Sequence, residues 1–107
     1  MGGKFSRDKG LRYERWLVNK FQEAGFGAER VPLSGASHGK FGGDISLPLL
    51  GRDRRVEVKS RASGFAQLYD WLDGSDFLIV KRDRGASLVV VPLDLAIEIA
   101  RAAERNK

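Results

Sequence analysis

The stretch Arg55-Val56-Glu57-Val58-Lys59-Ser60 alternates charged and apolar side chains with a period of two. Successive residues of a β-strand point to opposite faces, so the pattern predicts a strand with its three charged residues on one face and its valines on the other. Glu57 and Lys59, an acid and a base, are then neighbours on one rigid surface. If Asp44 from the preceding segment joins them, the chain has a divalent-metal site with an adjacent lysine.

Residues 44–50 predict the partner strand of a β-hairpin. Their larger apolar residues alternate with Asp44 and Ser46, and Gly51-Arg52 suits a two-residue turn with glycine in the first central position. Under this register Asp44 lies opposite Lys59 and diagonal to Glu57, with about 7 Å between the backbones of the two acids, on one face. A slip of one residue would move Asp44 to the other face, so the metal site depends on the register.

The first helix is expected from near Lys9 to Ala24, capped by Ser6 or Asp8. Its apolar residues recur at helical spacing, and Glu14 falls on this apolar stripe. A carboxylate turned toward a core needs a partner. The spacing leaves two alternatives open, namely a salt bridge with a nearby arginine at the edge of the core, or a carboxylate directed at a metal site beneath the helix.

Apolar runs and turn residues predict the remaining elements. Strands are expected at 28–34, 76–81 and 87–91, and the last two are apolar enough to be covered on both faces. A helix is expected at 63–73, with its first residue as the cap, and a closing helix after Asp94. The order αβββαββα predicts an α/β fold in which helices flank one small, mixed, five-stranded sheet.

Length and composition limit the classes of protein to which the chain can belong. The 107 residues are assigned to a single domain, with a flexible basic arm at 1–8 and a frayed tail at 104–107. A net charge of +5 and a pI of 9.9 predict attraction to polyanions, nucleic acid first and an anionic membrane surface second. No apolar run is long enough to cross a bilayer, and the absence of cysteine excludes disulfides and cysteine-based zinc sites. A cytoplasmic location is expected.

The residues of the hairpin suggest one chemistry, phosphodiester hydrolysis. A divalent metal neutralises charge on phosphorus and supplies hydroxide at neutral pH, and Mg²⁺ or Mn²⁺ takes oxygen ligands. Asp44, Glu57 and the backbone carbonyl of Val58 would provide them, with waters completing the shell. Lys59 would orient or deprotonate the attacking water and stabilise developing charge. The alternative is that Glu57 and Lys59 form only an exposed ion pair.

Two sets of motifs resemble known families. Gly42-Gly43-Asp44, followed after a hairpin by Val56-Glu57-Val58-Lys59-Ser60, resembles the metal-dependent PD-(D/E)XK nuclease superfamily, with Gly43 in place of the proline in that name. A wider set resembles the archaeal-type Holliday junction resolvase family over residues 9–61. Its motifs are Lys9-Gly10-Leu11-Arg12-Tyr13-Glu14-Arg15, Gly25-Phe26, Arg30, Ser34-Gly35, Asp44 and Glu57-Val58-Lys59-Ser60.

The resemblance implies a restriction-endonuclease-like fold and a homodimer whose two sites face the two DNA strands to be cut. It implies that Asp44, Glu57 and Glu14 are the metal carboxylates, Glu14 either directly or through water. It also implies that Lys59 is the catalytic lysine and that Ser34 lies near the scissile phosphate. The short chain leaves less surface for holding the arms of a junction.

Basic residues on either side of this site are candidates for contacts with DNA phosphates, which read backbone shape and give steep salt dependence. For each of them the alternative is a solvated surface charge. They are Lys4, Arg7, Lys9, Arg30, Lys40, Arg52, Arg54, Arg55 and Arg61. The only histidine, His38, lies in the glycine-rich loop 34–43, where a lone histidine is usually solvated.

The sequence therefore predicts a Mg²⁺- or Mn²⁺-dependent, structure-selective DNA endonuclease that resolves Holliday junctions by paired phosphodiester hydrolysis, in recombination and repair. Two alternatives stay open. One is a general or nicking PD-(D/E)XK endonuclease of a phage or mobile element, and the other is a nucleic-acid-binding module without turnover. Trp71 on the middle helix is a candidate for the dimer interface, because an aromatic residue there is more often core or interface than a base-stacking group.

Overall fold

The computed structural model describes residues 3–31 and 44–106. The chain forms two compact units: unit 1 comprises residues 1–60 with 101–107, and unit 2 comprises residues 61–100. The elements in order are α1 (Gly3–Glu23), β1 (Glu29–Arg30), β2 (Ile45–Leu49), β3 (Arg52–Val56), α2 (Ala66–Leu72), β4 (Leu78–Val80), β5 (Leu88–Val90) and α3 (Leu93–Arg105).

This order is the αβββαββα order that the sequence predicts, and the α/β class is confirmed. The described strands do not form the predicted single, mixed, five-stranded sheet. They make one three-stranded sheet in the order β1-β2-β3 and one two-stranded sheet of β4 and β5, and every pairing is antiparallel. A two-residue turn joins β2 to β3 and the seven residues 81–87 join β4 to β5, and hairpin connections of this kind produce antiparallel neighbours.

Helix α1 carries the core of unit 1. Leu17, Val18 and Phe21 are buried on one side of it, as their spacing predicts. The helix ends at Glu23, before Gly25, whose φ of +101° suits glycine. It begins at Gly3, however, so most of the segment predicted to be a flexible arm is helical. No proline interrupts residues 3–23, and a single internal glycine costs a helix only about 1 kcal/mol.

The β2–β3 hairpin has a different register from the predicted one. Leu50 and Gly51 occupy the two central turn positions, with φ of 54° and 86°, which are the positive values that a type I′ turn requires. Ile45 consequently pairs with Val56, and Leu49 pairs with Arg52. Strand β3 ends at Val56, so Glu57 and Lys59 lie just beyond the strand and not within it.

Strand β1 contains Glu29 and Arg30 and lies at the edge of its sheet, so it is shorter than the predicted strand at 28–34, of which residues 32–34 lie outside the described residues. The isoleucine of the neighbouring strand, Ile45, is fully buried and is the most enclosed side chain of the core. Leu50, at the tip of the hairpin, donates its backbone N–H to the Glu104 carboxylate over 2.5 Å. This contact ties the turn to the last helical turns of α3 within unit 1.

Unit 2 differs from the predictions in a helix cap and in the exposure of its strands. Helix α2 begins at Ala66 with no side-chain cap, so Ser63 is not its cap. Strands β4 and β5 were expected to be covered on both faces, but the paired residues Ile79 and Val89 are 60% and 58% exposed. Leu88, which points to the other face, is 62% exposed, so neither face of this antiparallel pair is fully covered, as expected of a two-stranded sheet.

Helix α3 begins at Leu93, which places Asp94 in its first turn and not at the cap position. The helix continues to Arg105, and the Asn106 N–H donates to the Ala102 carbonyl, so the first part of the predicted frayed tail is helical. The assignment of residues 1–107 to a single domain stays a prediction. Among the described residues, no helix has both the length and the apolar character needed to span a membrane.

Candidate active site

The open end of the β2–β3 hairpin brings Glu57 beside Asp44. The Asp44 N–H donates to the Val56 carbonyl over 3.1 Å, and the Asp44 carboxylate accepts the Val58 N–H over 2.6 Å. Both chain neighbours of Glu57 are thus bonded to Asp44. The Asp44 carboxylate thus satisfies the Val58 N–H, which would otherwise need a carbonyl of a longer β2 as its partner. This explains why the strand pairing ends here. The regular pairing ends at Ile45 and Val56, and Asp44 bonds Val56 just beyond it, so the predicted pairing of Asp44 with Lys59 is not formed.

Glu57 and Lys59 form an ion pair, with 3.3 Å between Glu57 Oε2 and Lys59 Nζ. The two side chains are 56% and 60% exposed. An exposed pair of this kind is worth only about 0.2–1 kcal/mol, because water screens the charges and ordering two long side chains costs entropy. Either partner can therefore leave the pair for a stronger ligand at little cost.

Glu14 is held by Arg30 of strand β1. The distance from Arg30 Nε to Glu14 Oε1 is 3.2 Å, and the side chain of Glu14 is only 19% exposed. This is the boundary salt bridge that spacing left open as one alternative. The pairing explains how a carboxylate is tolerated on the apolar side of α1, since a half-buried charge needs a partner of opposite sign.

The three carboxylates have the chemistry of a hard-cation site, because Mg²⁺ and Mn²⁺ prefer carboxylate and carbonyl oxygens. The structure places the backbones of Asp44 and Glu57 side by side, with Val58 adjoining them. Within residues 3–31 and 44–106, however, no three histidine, aspartate or glutamate side chains stand close enough together to hold a metal ion. Glu14, Asp44 and Glu57 are therefore suitable in kind but are not gathered into one cluster.

The predicted DNA-contacting residues differ in their surroundings. Lys9, Arg52, Arg55 and Arg61 are exposed. Arg54 is half-buried and donates from Nε to the Leu49 carbonyl over 3.0 Å, so part of its guanidinium serves the hairpin itself.

The remaining predicted positions are less fully described. Lys4 and Arg7 lie in the first turns of α1. Ser34, Lys40 and His38 lie outside the described residues.

One group of side chains was not singled out from the sequence. Tyr13 and Trp16 stack on the surface of α1, with ring centroids 5.7 Å apart and planes 13° apart. The Lys20 ammonium lies 5.3 Å from the Trp16 ring centroid. In the sequence, these residues are three and four positions apart, which is the spacing that places side chains next to one another on a helix surface. That spacing could have predicted the group.

These elements define a small, basic α/β protein whose acids and lysine meet at the open end of one hairpin. A family model described as archaeal Holliday junction resolvase (hjc) matches residues 5–69, more than half of the 107 residues. The chain therefore belongs to the archaeal Holliday junction resolvase family, which confirms the family that its motifs predict. Membership implies, at the level of the family, a nuclease that acts on Holliday junctions. Searches of curated proteins and of solved structures found no significant match.

Proposed function

We propose that this protein is a Mg²⁺-dependent, structure-selective endodeoxyribonuclease of the PD-(D/E)XK type, with Mn²⁺ as a possible substitute ion, which resolves four-way junctions by paired phosphodiester hydrolysis. The observation that carries the proposal is the pair of hydrogen bonds between Asp44 and the two neighbours of Glu57: the Asp44 N–H donates to the Val56 carbonyl, and the Val58 N–H donates to the Asp44 carboxylate. These bonds hold the backbones of Asp44 and Glu57 together at one hairpin end, in a chain of the resolvase family.

In this proposal Asp44, Glu57 and the Val58 carbonyl hold the metal ion, and Glu14 contributes directly or through water. When bound, the ion supplies Lewis acidity at phosphorus and hydroxide at neutral pH. Lys59 would leave its weak pair with Glu57 and orient the attacking water as an ammonium, or take a proton from that water after losing its own proton to solvent. The water oxygen bonds to phosphorus, the P–O bond to the leaving sugar oxygen breaks, and that oxygen takes up a proton from solvent, while the lysine ammonium stabilises the charge that develops on the phosphoryl oxygens.

Arg30 and Ser34 complete the proposed site. Arg30, 3.2 Å from Glu14, neutralises that carboxylate in the structure described. If Glu14 turns toward the metal ion, the Arg30 guanidinium becomes available for a DNA phosphate, for which its fork of donors is suited. Ser34 is proposed to lie near the scissile phosphate. The exposed residues Lys9, Arg52, Arg55 and Arg61 are proposed to contact the DNA backbone on either side, together with Lys4, Arg7, Lys40 and Arg54.

A homodimer would supply the two sites that paired cutting needs. The support for it is the surface of unit 2, where large apolar side chains face solvent. We use the name unit 2 apolar surface for the exposed apolar side chains of residues 61–100. The most exposed are Tyr69, Trp71, Phe77, Ile79, Leu88 and Val89, between 50% and 75% exposed, and they cover more than one face, because the successive strand residues Leu88 and Val89 point to opposite sides. Surfaces of this kind commonly mark protein–protein contacts, and tryptophan and tyrosine are enriched at their centres.

A second candidate function, a junction-binding module without turnover, is favoured by one observation. Each of Glu14 and Glu57 is occupied by a basic partner, and the three carboxylates do not cluster. The two candidates predict the same DNA affinity and opposite outcomes for cleavage.

Cleavage of a synthetic four-way junction, beside linear duplex and single strand, separates the candidates. Wild-type protein is expected to cut the junction symmetrically in Mg²⁺ and not in EDTA. Glu57→Ala should be inactive, while Asp53→Ala, which removes an exposed carboxylate from the same hairpin, should keep activity. Binding without cutting would favour the module, and equal cutting of duplex and junction would favour a general or nicking endonuclease.

A further inference from the structure

The exposed side of α1 carries a stripe of two aromatic residues between two lysines. Lys9, Tyr13, Trp16 and Lys20 follow one another at intervals of four, three and four, which places them along one side of the helix. We call these four residues the α1 aromatic stripe. Tyr13 is 39% exposed and Trp16 is 49% exposed, so neither ring belongs to the core. The core-facing side of the helix is formed by Leu17, Val18 and Phe21 instead.

The rings are nevertheless ordered against each other. Their planes lie within 13° of parallel at 5.7 Å, and the Lys20 ammonium approaches the Trp16 ring to 5.3 Å. An arrangement that fixes aromatic rings in advance reduces the entropy lost when a ligand binds. The cation–π contact is weak at an exposed site, so a planar ligand with negative charge beside it can replace the ammonium on the ring.

The charges around the rings select the ligand. A lysine lies at each end of the aromatic pair, and residues 3–23 carry six basic side chains against three acidic ones, of which Glu23 lies three residues after Lys20 on the same side of the helix. The two lysines are eleven residues apart, about 16 Å along the helix axis, so they suit contacts at separate points of one nucleic-acid strand whose base lies on the rings.

We propose that the α1 aromatic stripe stacks an unpaired base of branched DNA while Lys9 and Lys20 contact the phosphates beside it. The inference rests on the proposed function, in which DNA is the substrate. Bases inside a duplex are already stacked and present only their edges, whereas bases at a branch point or in an unpaired stretch expose a face. The stripe would therefore favour branched or open DNA over linear duplex, and it gives a small domain a way to recognise structure without reading sequence.

The test measures binding in EDTA, so that cleavage plays no part. The probes are a linear duplex, the same duplex with three unpaired thymines, and a four-way junction. Trp16→Ala is expected to weaken binding of the two probes with accessible bases by about 5- to 100-fold, with duplex binding unchanged. Trp16→Phe should keep most of the affinity. Leu50→Ala is the control, because Leu50 is similarly exposed, at 47% against 49% for Trp16, and is not aromatic.

Fluorescence gives a second readout. Trp16 and Trp71 are the two tryptophans of the chain, so Trp71→Phe leaves Trp16 as the single reporter. Its emission should be quenched by the probe with unpaired thymines and not by the duplex. Equal affinity of wild type and Trp16→Ala for all three probes, or an equal loss on all three, would overturn the proposal. Dissociation of a dimer by Trp16→Ala with DNA binding unchanged would also overturn it, in favour of a protein contact.

These outcomes are separate from those that decide the proposed function. If the wild type cuts junctions in Mg²⁺ while Trp16→Ala binds them normally, only the stacking inference fails. If the wild type binds through Trp16 but never cuts, stacking stands and the nuclease proposal fails.

Discussion

In unit 1, α1 and the three-stranded sheet enclose Leu17, Phe21 and Ile45, and the charged groups of the hairpin end sit on that closed core. In unit 2, residues 61–100, no residue is buried, and residues such as Ile79 and Val89 face solvent. A closed core holds side chains in fixed positions, which a site for chemistry needs. An open apolar surface instead gains stability when another surface covers it.

The two units therefore suit different functions. The acids and lysine that suit cleavage lie in unit 1, and so does the α1 aromatic stripe. The unit 2 apolar surface has the composition of an association surface. Substitutions in unit 1 should therefore change folding and catalysis, and substitutions in unit 2 should change assembly. The predictions that follow test this division.

The largest expected effect on stability is that of Ile45→Ala. Ile45 is fully buried, so truncation should lower the free energy of unfolding by about 3 kcal/mol. Ile79→Ala is the matched change in unit 2, where the same residue type is 60% exposed, and should cost about 0.5 kcal/mol or less. Urea titrations at two protein concentrations separate unfolding from dissociation. Similar losses for the two variants would mean that unit 2 has a core of its own.

A smaller effect is expected on assembly. Ile79→Lys places a charge among the exposed apolar side chains of unit 2, opposite Val89, and should raise the dimer dissociation constant by about 10-fold or more. Leu50→Lys, at an exposed leucine of unit 1, should leave assembly unchanged. Analytical ultracentrifugation measures both. A wild type that is monomeric at micromolar concentration would remove the basis for paired cutting.

The smallest effect concerns the hairpin turn. Leu50 has a φ of 54°, which costs most residues other than glycine and asparagine about 1 kcal/mol. Leu50→Asn creates an Asn-Gly pair, the favoured sequence for a type I′ turn, and should raise the free energy of unfolding by about 0.5–1 kcal/mol. Thermal unfolding measures the gain. A loss of stability would show that the exposed leucine side chain contributes more than the backbone conformation costs.

The sequence predicts the class and the order of elements because both follow from local periodicity, as in the apolar stripe of Leu17, Val18 and Phe21. It does not predict the hairpin register. That register depends on Leu50, which adopts a positive φ and donates to Glu104, a residue 54 positions away. No local pattern contains such a contact.

The candidate site shows the same limit. Alternation through Lys59 suggests a strand, but the Asp44 side chain takes the Val58 N–H and the strand ends at Val56. The backbones of Asp44 and Glu57 are adjacent through the bonds of Asp44 with Val56 and Val58, and not through the predicted register. That their side chains share a face stays a prediction. The exposure of β4 and β5 was not predicted. An apolar run indicates that a strand has faces to be covered, but it does not identify what covers them.

The central claim is that the hairpin end catalyses junction cleavage through the charge of Asp44, and Asp44→Asn tests it most directly. Asparagine keeps an oxygen that can accept the Val58 N–H, so the hairpin end should keep its shape while the negative charge is lost. Single-turnover cutting of a four-way junction in Mg²⁺ should fall on the order of 10²–10³-fold or more, with junction affinity and unfolding temperature nearly unchanged. Cutting at the wild-type rate by Asp44→Asn, or cutting by wild type that persists in EDTA, would contradict the account.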